Sequence, residues 1–295
     1  MGLFFSSDRF TRPGPGVRPD APRKKGVARL AEIMGRDMWN FFRAGFLAFL
    51  GCLPFIIGMF FAVETHALLF MLLAGIIGGL IAGPELSAMA DTVLRSLRDE
   101  PGYWWETYRR VWKRNARESL VPGMLTGLVL SMQIFTLFHM SVISAGIVTW
   151  VLLILSFVVT LGLESYIWPQ IALLDLPLYG ILKNSLLLFL GYLPRSLGAI
   201  AIKAVYWGAI LLFFPLTTII LPFTNFWLPT LPALLCIYQP LNKCFTIEST
   251  INKMREDELN AALAKDNEPL PEDPTEKAEE STEASSDDSS SDDVQ

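Results

Sequence analysis

Six long apolar stretches constrain this 295-residue chain more than any other feature of its sequence. Each has about the 20 residues that a helix needs to cross the hydrocarbon core of a bilayer. The stretches are 41–63, 67–90, 120–140, 142–165, 197–221 and 226–245. Only 18% of the residues are charged, whereas a soluble domain has about a quarter. The sequence therefore predicts an all-α polytopic membrane protein with six transmembrane helices.

The positions of the cationic residues predict the orientation. The connections that follow the first, third and fifth spans contain no Lys or Arg, and the cationic residues of the loops fall on the opposite side. Because loops rich in Lys and Arg stay in the cytoplasm, both termini are expected there. The predicted parts are a basic arm (1–40), a six-helix membrane domain (41–255) and a disordered acidic tail (256–295).

The cytoplasmic segment 103–119 interleaves aromatic and basic residues. On a helix at 100° per residue, the aromatic residues gather on one side and the cations on the other. The two sets are Trp104, Trp105, Tyr108 and Trp112, and Arg109, Arg110, Lys113, Arg114 and Arg117. This pattern is typical of an interfacial amphipathic helix whose cations face anionic lipid headgroups. A nucleic-acid partner is not expected, because spans flank the segment. Whether the aromatic face packs on lipid or on the helix bundle stays open.

Two further patterns concern helix packing. Segment 176–196 is apolar but is interrupted by Pro177, Lys183, Asn184 and Pro194, which predicts a shallow or re-entrant helix. Small residues at a spacing of four let helices approach closely in lipid. The glycines at this spacing are Gly75, Gly79 and Gly83 in the second span and Gly123 and Gly127 in the third. Packing within one chain is the simpler interpretation, and homodimerisation is the alternative.

Ionisable residues inside spans mark candidate functional sites. Glu85, Glu164 and Lys203 lie within predicted spans, whereas Arg43 stands near the start of the first span, where it can extend to the headgroups. An ion pair between Lys203 and one glutamate is one interpretation. The other is a polar cavity open to the cytoplasm and lined by Glu85, Glu164, Asn184, Arg195 and Lys203.

The sequence offers no pattern typical of an enzyme or a metal site. On the outer side Glu64, His66 and His139 could converge on zinc, but they come from separate short connections, so two interfacial histidines are the simpler interpretation. The three cysteines form no CxxC pair. We find no Ser-His-Asp set, HExxH or P-loop. No cofactor, no metal and no enzymatic activity are therefore expected.

Four segments carry a resemblance to a known family. They are the basic arm (4–26), GCLPFIIG (51–58), GPELSAMADTVLRSLRDEPGYWWETYRRVWKRN (83–115) and LKNSLLLFLGYLPRSLGA (182–199). With them the chain resembles the YesL-like family of bacterial integral membrane proteins. The resemblance implies six transmembrane helices, the inner membrane of a bacterial cell and an association with carbohydrate uptake systems, but no catalytic or binding residues. The acidic tail departs from the family pattern.

Two functions are expected from these observations together. The first is a non-enzymatic accessory or regulatory partner of a carbohydrate uptake system, bound to the membrane subunits of that system. The alternative is a small-solute transporter with a polar cavity facing the cytoplasm.

Overall fold

A computed structural model describes residues 23–100, 102–142 and 146–266, which form helices and short connections, without a strand among them. We number the helices along the chain. They are α1 (Gly26–Thr65), α2 (Leu68–Leu97), α3 (Trp104–Phe138), α4 (Ile147–Leu173), α5 (Leu178–Gly191), α6 (Leu193–Leu212), α7 (Thr217–Thr224), α8 (Trp227–Phe245) and α9 (Ile247–Asp266). The predicted all-α class is confirmed.

Five helices, α1 to α4 and α6, are long and apolar enough to cross a membrane. They are the helices of a multi-pass membrane protein. The sixth predicted span forms α8, which has 19 residues and contains Pro232 and Pro240. Helix α8 is not among the five helices that are long and apolar enough to cross a membrane. The number of six crossings stays a prediction.

The first helix begins earlier than predicted. Helix α1 starts at Gly26, so residues 26–40 are helical and no boundary separates an arm ending at residue 40 from the membrane domain. Its 40 residues extend over about 60 Å, twice the hydrocarbon thickness. The basic segment before the apolar run therefore prolongs the first transmembrane helix. Residues 1–22 lie outside the described part of the chain.

Helices α2 and α3 pack with almost no side chains between them. A Cβ added to Gly79 would overlap the carbonyl of Gly123, and a Cβ added to Gly127 would overlap the carbonyl of Gly75. Gly83 lies equally close to the carbonyl of Ser119. The two predicted glycine sets thus face each other within one chain. Gly75 belongs to a π-helical turn, Ala74–Gly78, inside α2.

The predicted amphipathic helix is not a separate element. Residues 104–119 form the first half of α3, which continues into the third span and reaches Phe138. The helix does not end after residue 119, and even Pro122 stands inside it, so the prediction of a separate interfacial helix at 103–119 is wrong.

The segment 176–196 divides differently from the prediction. Lys183 and Asn184 lie within the continuous helix α5, so they do not interrupt it. The break falls at Tyr192, and Pro194 stands in the first turn of α6, where its missing N–H has no helical partner to lose. With 14 residues, α5 is shorter than a spanning helix.

The last described helix corrects the predicted tail. Helix α9 covers Ile247–Asp266, so the first part of the segment 256–295 is helical and not disordered. Residues 267–295 lie outside the described part of the chain.

Candidate functional site

A cavity of about 380 Å³ lies between the helices of the membrane domain. Residues from α1, α2, α3, α4, α6, α7 and α8 line it, and most of them are apolar or aromatic, such as Phe55, Phe157 and Trp207. Among the described lining residues, Glu164 and Lys203 carry charge. The volume falls within the range of small-molecule sites in proteins.

The charged wall of the cavity is formed by α4 and α6. Lys203 lies ten residues after the start of α6, about 15 Å along the helix axis. Its Nζ is 3.9 Å from Oε2 of Glu164, and 9% of its side chain is exposed. The other carboxylate oxygen, Oε1, accepts a hydrogen bond of 3.3 Å from Nε1 of Trp168. The expected ion pair of Lys203 therefore involves Glu164.

The third predicted intramembrane charge has different partners. The hydroxyl of Tyr108 donates to Oε2 of Glu85 over 2.6 Å, and Nε1 of Trp112 donates to Oε1 over 2.9 Å. Glu85 does not line the cavity. It connects α2 to α3, so its role as a cavity residue is a wrong prediction.

Asn184 and Arg195 also lie away from the cavity. Asn184 belongs to α5, which contributes no lining residue, and Arg195 is exposed near the start of α6. The predicted five-residue polar cavity is thus a largely apolar cavity with two charged residues. The sequence placed these five polar groups toward one side of the membrane but could not tell which helix faces they share.

The aromatic face of residues 104–119 packs mainly on the bundle. Tyr108 and Val111 are buried, and Trp112 is partly buried, whereas 56% of Trp105 is exposed. Of the two open interpretations, bundle packing is correct for Tyr108 and Trp112. The five cations of this helix are exposed, as an anionic lipid partner would require. They are Arg109, Arg110, Lys113, Arg114 and Arg117. Arg114 also donates to the carbonyl of Ala172 over 2.7 Å.

An arginine cluster around Asp99 was not predicted. Arg29 donates to Oδ2 of Asp99 over 2.6 Å, Arg36 hydrogen-bonds Oδ1, and Nε of Arg23 is 3.1 Å from Oδ2. Partial burial alone would raise the pKa of Asp99, but the hydrogen bonds and positive charges of Arg36 and Arg29 outweigh it and lower this pKa. The cluster attaches the start of α1 to the connection between α2 and α3.

A sequence signal for this cluster existed. Arg29, Arg36 and Arg43 are seven residues apart, which places them on one face of a helix. The guanidinium carbon of Arg43 lies 5.0 Å from the ring centre of Trp39 and 5.6 Å from that of Trp104. The expectation that Arg43 extends to the headgroups missed these cation–π contacts, because α1 was expected to begin only at residue 41.

The two histidines meet at the opposite end of the bundle. Nδ1 of His66 is 2.7 Å from Nε2 of His139, whose Nδ1 is 2.7 Å from the carbonyl oxygen of Phe135. A neutral His139 must donate from Nδ1 to this carbonyl, so its Nε2 accepts from His66. Both nitrogens of His139 are therefore occupied. Among the described residues no three His, Cys, Asp or Glu side chains are grouped for a metal ion.

Comparison with protein-family models, with curated proteins and with solved structures finds no match for this chain. The resemblance to the YesL-like family stays a prediction, and the function is argued from the geometry.

Proposed function

We propose that this chain is a non-enzymatic accessory or regulatory partner of a carbohydrate uptake system in the bacterial cell membrane, and a member of the YesL-like family. The apolar lining of the cavity carries this proposal. A sugar is bound through several convergent hydrogen-bonding groups, whereas the described lining is largely apolar and carries two charged side chains, Glu164 and Lys203, on one wall. Such a cavity is a poor route for a carbohydrate, so transport itself is assigned to another protein.

The exposed surface supports a partner within the membrane. Large apolar side chains of α4 face outward, among them Leu152, Ile154 and Leu155, each more than half exposed. The exposed cations of α3 fit anionic headgroups at the cytoplasmic surface, with both termini on that side. This apolar surface can be covered by the acyl chains of the bilayer or by an apolar helix from a membrane subunit of a transport system.

Co-purification from native membranes tests the proposal. We expect a tagged chain, extracted in a mild detergent, to retain a permease subunit in a fixed ratio. An unrelated multi-pass protein with the same tag, expressed at the same level, is the control. Recovery of the chain without any permease, together with sugar uptake by the purified chain alone in liposomes, would show that the proposal is wrong.

One observation favours a second function, a small-solute transporter. Lys203 and Glu164 meet at the cavity wall inside the membrane domain, and intramembrane charges often mark a substrate or ion pathway. In that case liposomes containing the purified chain take up solute, and Lys203→Ala abolishes the uptake while a Lys183→Ala control on α5 keeps it.

A further inference from the structure

The ammonium group of Lys203 lacks hydrogen-bond partners. The side chain is nine-tenths buried, and its nearest carboxylate oxygen, Oε2 of Glu164, is 3.9 Å away, beyond hydrogen-bonding distance. No acceptor among the described residues lies within reach of Nζ, although an ammonium carries three donors. Burying such donors without acceptors is costly, and Lys203 lines the cavity. Its free donors are therefore available to a molecule in the cavity.

The three hydroxyl groups on the described lining already donate hydrogen bonds to backbone carbonyls. They belong to Thr126, Ser165 and Thr230, which donate over 2.8 Å, 2.7 Å and 2.6 Å respectively. Lys203 is thus the charged donor that the lining offers to a bound molecule, and an occupant needs an oxygen acceptor at one end.

Charge balance selects the kind of acceptor. Lys203 and Glu164 together carry no net charge, and the surrounding wall is largely apolar. An anionic or cationic occupant would leave one uncompensated charge inside the membrane, which costs several kcal/mol. A neutral oxygen, as in an alcohol or a carbonyl, accepts from Lys203 without that penalty.

We propose that the cavity binds a neutral amphiphile whose hydroxyl or carbonyl oxygen accepts a hydrogen bond from Nζ of Lys203. Its hydrocarbon body lies along the aromatic wall that includes Phe55, Phe157 and Trp207. The cavity of about 380 Å³ suits a molecule of modest size. This binding site does not depend on the accessory role proposed above.

Photo-crosslinking of the full chain in lipid nanodiscs tests the site. The probe is dodecanol with a diazirine on its chain, and mass spectrometry identifies the labelled residues. We expect labelling of cavity residues such as Phe55 and Trp207. Unlabelled dodecanol should compete for these positions more strongly than dodecanoate or dodecylamine, which carry a charged head on a chain of the same twelve carbons.

The matched variant removes both charges together. Lys203→Met alone would leave Glu164 without a counter-charge, so Lys203→Met is combined with Glu164→Gln. We expect roughly tenfold weaker cavity labelling, the size of a lost hydrogen bond from a charged donor. Lys183→Met, on the exposed side of α5, is the control and should label as the unchanged chain does.

Three results would overturn the proposal. The first is labelling confined to outward-facing residues such as Leu152 and Ile154, which would mean that the probe stays in bulk lipid. The second is unchanged cavity labelling in the double variant while it remains folded. The third is competition by dodecanoate at least as strong as that by dodecanol, which would exclude a neutral head.

Discussion

Asp99 pairs with three arginines, more than any other carboxylate described above. Three arginines, Arg23, Arg29 and Arg36, reach it from the start of α1. Its backbone is left-handed, with φ at 60°, a conformation that Asp and Asn tolerate better than most residues. Asp99 therefore has two roles. Its backbone adopts the left-handed turn after α2, and its carboxylate neutralises the neighbouring guanidinium groups.

Asp99→Asn keeps the size and the left-handed backbone but removes the charge. We expect a loss of about 1–2 kcal/mol, because hydrogen bonds to charged groups are strong but this carboxylate is a third exposed and partly screened. Because the folded-state pKa is lowered, the contribution is complete above the ordinary pKa of about 3.9 and is lost as the pH falls through the lowered value. Thermal unfolding at pH 7 and at pH 3 measures both effects.

The control for Asp99 is Asp175→Asn, in the connection before α5. Asp175 is exposed and has no hydrogen bond or ion pair with the described residues. It should unfold as the unchanged chain does at both pH values. If Asp99→Asn loses as much stability at pH 3 as at pH 7, the arginine cluster does not contribute through the charge of Asp99.

At the scale of elements, the contact between α2 and α3 rests on glycine. The four-residue spacing of these glycines was visible in the sequence, and so was the simpler interpretation that they pack within the chain. The helix ends were less visible. Helix α1 continues through its basic segment and α3 through its cationic segment, because Lys and Arg are good helix formers. A change from polar to apolar residues marks entry into lipid and does not mark the end of a helix.

Gly79→Ala tests this contact directly. The added Cβ would overlap the carbonyl of Gly123, a backbone atom that cannot turn aside. We expect a loss of about 1–3 kcal/mol, as for other overpacked positions. Gly208→Ala in α6 is the matched control, because nothing lies within 4 Å of its Cβ position. It should leave stability unchanged or raise it slightly. Equal unfolding temperatures for the two variants would show that α2 and α3 do not approach this closely.

At the scale of the whole molecule, the sequence predicted the class of fold better than the site. Long apolar runs specify helices in lipid, because the backbone must satisfy its own hydrogen bonds there. The grouping of Lys203 with Glu164 and the separate pairing of Glu85 with Tyr108 and Trp112 depend on how each helix is rotated about its axis. Rotation is set by packing between distant segments, which a single sequence does not display.

Thiol labelling tests the orientation of the molecule. The native cysteines, Cys52, Cys236 and Cys244, are first replaced, and Arg110→Cys and Val142→Cys are then made separately. Both positions are exposed, one in the first half of α3 and the other after the opposite end of this helix. We expect an impermeant maleimide to label position 142 in intact cells and position 110 only after permeabilisation. The reverse pattern would contradict cytoplasmic termini.

The close approach of α2 and α3 has a consequence for biogenesis. Gly127 follows its partner Gly75 by 52 positions, and Gly123 follows its partner Gly79 by 44, so α2 is synthesised well before the surface on which it packs. Until Gly123 and Gly127 are inserted, the glycine face of α2 lacks these contacts. Insertion of α2 into the membrane and formation of its contact with α3 are therefore two successive events.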